Sequence, residues 1–280
     1  MSAAAYRTQS PVTDPGPYTD YVKAMPDDIA ALATAVQGLI IHLGMGSLYG
    51  VEISPERAAD AETLDVETII GKIVADDPAP LAEPRTPERR FVGHCRVVAV
   101  LYTSLARAKG HAARARAGFS AYFAPRFYGD HWLTEIWDGR ASRWRLVDAE
   151  LDPPLIEATH LEFDPLDVPR QRFLAAGETW QRCRAGELDP SIVGLDPDNA
   201  GMSYIRGQLL RDIAALNGYE PAGAEVWGIG AAADEALTDD DYALLDQAAS
   251  MSAATDADAA ELRRLFECDK RLRHPAVALA

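Results

Sequence analysis

Apolar residues recur at helical spacing in several stretches of the chain. Ile29, Leu32, Ala33, Val36, Leu39 and Ile40 mark the first, opened by Pro26-Asp27-Asp28 and ending near Leu43-Gly44, with His42 at its surface end. Val66, Ile69, Ile70, Ile73 and Val74 mark the second. Val97, Val98, Leu101, Leu105 and Ala108 mark a third, which begins at Cys95 and stops at Gly110, a natural C′ residue. A fourth is expected through Phe173, Leu174, Trp180 and Cys183, with Asp167 as N-cap, Pro169 in its first turn and Gly186 as its stop. A fifth covers Met202 to Leu216. A sixth starts at Thr238 and runs through Tyr242, Leu244 and Leu245. The last follows Thr255 through Leu262, Leu265 and Phe266.

Around residue 113 the pattern changes to strands. Ala113, Ala115 and Ala117 alternate with Arg114 and Arg116, which places the arginines toward solvent or a cleft wall. A hairpin follows. His131, Leu133, Glu135 and Trp137 share one face of its first arm, and Trp144, Leu146 and Asp148 share one face of the second. A two-residue turn at Gly139-Arg140 sets His131 directly opposite Asp148. A longer loop over Asp138 to Ser142 shifts that register. Between the second and third helices lies a proline-rich connector, Pro78 to Pro87, leading to Arg89, Arg90 and Phe91.

Composition narrows the classes. The chain has 280 residues, 48% hydrophobic and 25% charged, an ordinary globular balance. The formal charge of −16 argues against general nucleic-acid binding, which depends on Lys and Arg contacts to phosphate. Three cysteines without metal-ligand spacing suit a reducing compartment better than a disulfide framework. No signal-peptide or membrane-spanning run stands out, so a cytoplasmic protein with no membrane partner is expected.

The chemistry converges on Cys95, His131 and Asp148. A thiolate is the nucleophilic form of cysteine, and a helix N-terminus favours it. An imidazole can take its proton and later protonate a leaving group, and a carboxylate can fix the imidazole tautomer. The Cys95 backbone N–H is a candidate oxyanion donor. Singly, a buried inert thiol, a structural His and a turn Asp are the plainer readings. Together, in this order and on these elements, they suit a catalytic triad. His94, Arg89, Trp132 and Tyr128 are candidate substrate-binding residues, although Trp132 faces away from His131 and suits core packing. Arg85, Arg89 and Arg90 form a short basic run, for which solvation or ion pairing is the expected role. Tyr122, Phe123, Phe127 and Tyr128 could line a groove or pack as a lid.

Gly93-His94-Cys95-Arg96, the run Ala115 to Phe119, Asp130-His131-Trp132 and Leu146 to Glu150 resemble the transglutaminase-like superfamily. The resemblance covers about sixty residues. Val97 stands where many relatives carry an acidic residue. The resemblance implies an α+β fold with a papain-like core: a helix bearing the Cys, packed on an antiparallel sheet, with added N- and C-terminal helices. It implies covalent thiol catalysis of acyl transfer to an amine or of amide hydrolysis, through a thioester, on a small-molecule or peptide substrate, with no metal or organic cofactor. A protease acting on proteins and a silent scaffold of the same fold are the alternatives. The expected organisation is an extended arm over 1–25, a catalytic domain over 26–219 and an acidic helical extension over 220–280.

Overall fold

The computed structural model describes residues 3–253 and 259–277. In chain order they form α1 (Thr19–Lys23), α2 (Ile29–Leu39), β1 (Ile40–His42), α3 (Pro55–Ala58), α4 (Val66–Asp76), β2 (Phe91–Gly93), α5 (Cys95–Ala108), β3 (Ala113–Ser120), β4 (Tyr128–Asp138), β5 (Arg143–Val147), α6 (Pro153–Thr159), β6 (Phe173–Ala175), α7 (Ala176–Arg184), β7 (Val193–Asp196), β8 (Asn199–Ala200), α8 (Met202–Leu216), α9 (Asp239–Ala253) and α10 (Ala259–Cys268), with short 3-10 turns between them. This is a mixed α and β chain, compatible with an α+β fold. The chain divides into two compact units. One comprises Ser2–Ala115 and Leu133–Val168, the other Arg116–Trp132 and Pro169–Ala280.

In the first unit, α5 is the central element. Every residue from Arg96 to Arg107 is buried, so this helix is enclosed on all sides rather than along one stripe. Its buried polar groups are satisfied accordingly. Arg96 donates to the carbonyls of Thr63 and Leu64, Arg107 to Ala113 O and Thr13 Oγ1, and Ser104 Oγ to Thr13 O. Gly110, at φ +82°, ends the chain's helical path in the left-handed region that glycine adopts without strain. Helix α2 opens on Asp28, whose carboxylate accepts from the N–H groups of Ala30 and Ala31. Asp65 caps α4 through Thr68 N–H.

Four expectations change in this unit. The segment before α2 is not an extended arm: it winds into 3-10 turns and α1, and Tyr6, Val12, Thr13 and Val22 are buried. The apolar run at Ile40-Ile41-His42 leaves the helix and becomes β1, parallel to β2, with His42 opposite Gly93. Asp152 caps a short helix, α6, that is absent from the expected helices. The hairpin closes through a longer loop, with Asp138 paired to Arg143 and Trp137 to Trp144. The Asp138 carboxylate accepts from Arg140 and Ala141 N–H, and Ser142 has φ +50°. The register therefore pairs Thr134 with Val147, and not His131 with Asp148.

In the second unit, the β3 residues Gly118, Phe119 and Ser120 pair antiparallel with β6. Tyr128 and Gly129 of β4 pair parallel with β7, and β7 pairs with β8. Phe173 and Leu174 thus lie in a strand, not a helix, and Asp167 caps no α-helix. Helix α8 matches its expected span, Met202–Leu216. A Cβ on Gly177 would lie 2.1 Å from Ser252 Oγ and 2.5 Å from Ala249 O, so α7 and α9 approach closely only because this residue lacks one. Thr238 caps α9 by exchanging hydrogen bonds with Asp241. The Thr255 cap lies outside the described residues.

Candidate active site

Cys95 is the first residue of α5. The strand β2 delivers it, and His94, in extended conformation, precedes it as N-cap. The N–H groups of the first turn gather at this end, where the helix dipole is positive, those of Val97 and Val98 donating to His94 O. The His94 side chain does not cap them, and the first turn holds no acidic residue. Cys95 is half-buried and forms no disulfide.

His94 is half-exposed, with Nε2 3.6 Å from Glu62 Oε1. Its ring lies 5.7 Å from that of His42. Gly44 N–H donates to His42 Nδ1, so a neutral His42 ring carries its proton on Nε2, and this atom lies 3.9 Å from Glu150 Oε1. The sequence suggests a helix end for His42 and no role for Glu150. Pairing of β1 with β2 brings His42 beside the approach to Cys95. A two-residue-period signal over only three residues is too short to read from sequence.

Asp148 follows β5 directly and is buried. Its N–H donates to Pro165 O, and its carboxylate accepts from Glu150 N–H. Arg89 is exposed and bound to the Asp76 carboxylate at 3.0 Å. Arg85, expected to be solvated, is 4% exposed, and its guanidinium donates to the carbonyls of Asp77, Ala79, Pro80 and Glu83. It folds the proline-rich connector rather than offering charge to a ligand. Arg114 is likewise buried, paired with Glu135 at 2.7 Å and set over the Trp144 ring.

In the second unit His131 is buried in β4. Its ring meets those of Phe123 at 5.1 Å, Tyr122 at 5.8 Å and Phe173 at 6.4 Å, each near edge-on. The loop aromatics thus include packing partners of His131. Trp132 is buried, its indole N–H without a hydrogen-bond partner, while Tyr128 is half-buried. Arg116 is buried and holds Asp212 through two hydrogen bonds of 2.8 and 2.9 Å. Its alternation with alanines marks a face of the strand, but that face meets a helix and not solvent. Burial pushes the Cys183 thiol up to about 11; Arg182 acts against this and Asp189 with it.

No helix among the described residues is long and apolar enough to cross a membrane. No protein-family model and no curated protein matches the chain. One solved structure, from Cytophaga hutchinsonii and described as a candidate cysteine protease, is similar at 16% identity and a TM-score of 0.35. The match covers 52% of this chain and 41% of the other, so the chain spans less than half the length of that protein. An overlap of this extent bears on neither fold nor chemistry here.

Proposed function

We propose that the protein is a transglutaminase-like cysteine enzyme in which Cys95, His131 and Asp148 are nucleophile, base and orienting group. The observation that carries this reading is the position of Cys95 as the first residue of a buried helix, with no acidic side chain in the first turn. Thr134 pairs with Val147 in the β4–β5 ladder, so the direct pairing of His131 with Asp148 expected from a two-residue turn does not form. The order of Cys95, His131 and Asp148 along the chain and the resemblance of their flanking residues support the other two roles.

The Cys95 thiolate attacks an amide or thioester carbonyl, forming a C–S bond. The oxyanion is held by the Cys95 N–H. His131, protonated by the thiol, gives its proton to the leaving nitrogen or sulfur as that bond breaks, leaving an acyl-enzyme. Water or an amine then attacks the thioester, His131 takes its proton, and the C–S bond breaks. Asp148 supports the imidazolium between these steps.

The test is acylation with p-nitrophenyl acetate, followed by intact mass. One acetyl adduct is expected on the wild type, absent from Cys95→Ala and removed by hydroxylamine. Hydroxamate formation from an amide donor marks acyl transfer; acid release without trapping marks hydrolysis, the outcome a protease would give. An adduct that persists in Cys95→Ala, or none at all, contradicts the proposal.

A further inference from the structure

Successive side chains on a strand point to opposite faces, so Asp130 and His131 lie back to back on β4. On the His131 face are the rings of Tyr122, Phe123 and Phe173. On the other face the Asp130 carboxylate accepts hydrogen bonds from the Tyr204 hydroxyl and the Gln208 side-chain amide, each at 2.5 Å. Tyr204 and Gln208 stand one turn apart on α8. Gln208 Nε2 also donates to Gly118 O of β3, and its Oε1 accepts from Arg211, whose Nε donates to Glu225 O. A single carboxylate thus ties β4 to two turns of α8 and, through Gln208, to β3.

That arrangement has a cost. Burial of the carboxyl raises the Asp130 pKa, against the opposing influence of Tyr204, Arg211, His131 and Gln208. An apolar residue could pack β4 against α8 without that desolvation. What it could not supply is direction, since hydrogen bonds fix an angle and apolar contact does not.

We propose that Asp130 is a positioning residue for His131, locking β4 to α8 through Tyr204 and Gln208 so that the imidazole on the opposite face is held in one orientation. The role rests on His131 acting as the base for Cys95. Asp130 itself touches no reacting atom.

The test is the pH profile of Cys95 alkylation by iodoacetamide, in a chain carrying Cys183→Ser and Cys268→Ser. It is paired with the nitrogen resonances of the His131 ring, assigned by comparison with His131→Ala. Asp130→Leu is expected to raise the apparent thiol pKa by about one unit, slowing alkylation at pH 6 roughly tenfold, and to broaden or double the His131 signal. Asp130→Asn should stay within about twofold, because an amide can accept from Gln208 and donate to the Tyr204 oxygen. Tyr204→Phe, which leaves β4 unchanged, should fall between them and serves if Asp130→Leu does not fold. A folded Asp130→Leu, or failing that Tyr204→Phe, with the wild-type profile and an unchanged His131 signal overturns the proposal. So does slowing that is equal in Asp130→Asn and Asp130→Leu. If His131→Ala keeps the wild-type profile, the base reading itself fails and the positioning role with it, an outcome visible with Asp130 untouched.

Discussion

Cys95 and Cys183 are the same residue at opposite ends of two helices. Cys95 opens α5, a fourteen-residue helix, at its positive end. Cys183 is the penultimate residue of α7, at the end where carbonyls gather and the dipole is negative. Both are half-buried. For Cys183 burial dominates and pushes the thiol up to about 11. Burial is the main reason Cys183 keeps its proton, and the negative end of its helix acts the same way. At Cys95 the positive end of α5 opposes burial, and this is what sets the proposed thiolate site apart.

The largest expected effect is the contrast itself. At pH 7 a thiol with a pKa of about 11 is about 0.01% thiolate, against about 3% for an ordinary one at 8.5. Cys183 should therefore react with iodoacetamide two to three orders of magnitude more slowly than a free thiol, gaining about tenfold per pH unit up to pH 11. Cys95 should react faster than a free thiol. Peptide mapping of a timed alkylation gives both rates. In denaturing urea the two should converge, Cys95 slowing and Cys183 accelerating, because both helix ends and burial are lost.

A second change acts on the unit that holds Cys183. Arg116→Met leaves Asp212 buried without its cation and should cost about 3–5 kcal/mol in a urea titration. The midpoint for Cys183 exposure should fall with it. Unchanged stability would mean that the pair is not closed in solution.

Third in size is His131→Ala. Removal of the imidazole should slow Cys95 at pH 6 by roughly tenfold or more, equivalent to about one pKa unit, and leave Cys183 unaltered. Equal slowing at both thiols would point to a folding defect.

The smallest effect is a pH dependence of stability. His274 is buried between Tyr219, stacked at 4.4 Å, and Trp227. Burial lowers its pKa, partly offset by Glu225. A histidine pKa below its unfolded value of about 6.5 gives stability that is present above that pH and lost as pH falls through it. Between pH 7.5 and 5.5 the wild type should lose more thermal stability than His274→Gln. The reverse ordering would contradict the burial of this ring.

Much of this contrast is legible in the amino-acid sequence. Periodicity locates α2, α4, α5 and α8, and Gly110 and Gly186 mark the stops of α5 and α7. Both glycines have positive φ. The placement of Cys95 at a helix start follows from Val97, Val98, Leu101 and Leu105. What is not legible has physical causes. Three-residue strands such as β1 and β6 carry no measurable period, so Ile40-Ile41-His42 and Phe173-Leu174-Ala175 read as continuations of neighbouring helices. The hairpin register depends on a loop whose Ser142 takes positive φ, which its residue type does not announce. The buried roles of Arg85, Arg114 and Arg116 depend on partners that composition cannot supply. Glu135 and Asp212 are 21 and 96 residues away from their arginines. Asp130, Tyr204 and Gln208 escape sequence reading for the same reason, being joined only once β4 and α8 meet.

The most direct test of the central claim is the rate of Cys95 alkylation against pH, read by intact mass on the wild type, Cys95→Ala and His131→Ala. The account predicts one fast site at pH 6, lost in Cys95→Ala and slowed in His131→Ala. A Cys95 that reacts no faster than an ordinary thiol across pH 5 to 9, or that ignores the loss of His131, would contradict it.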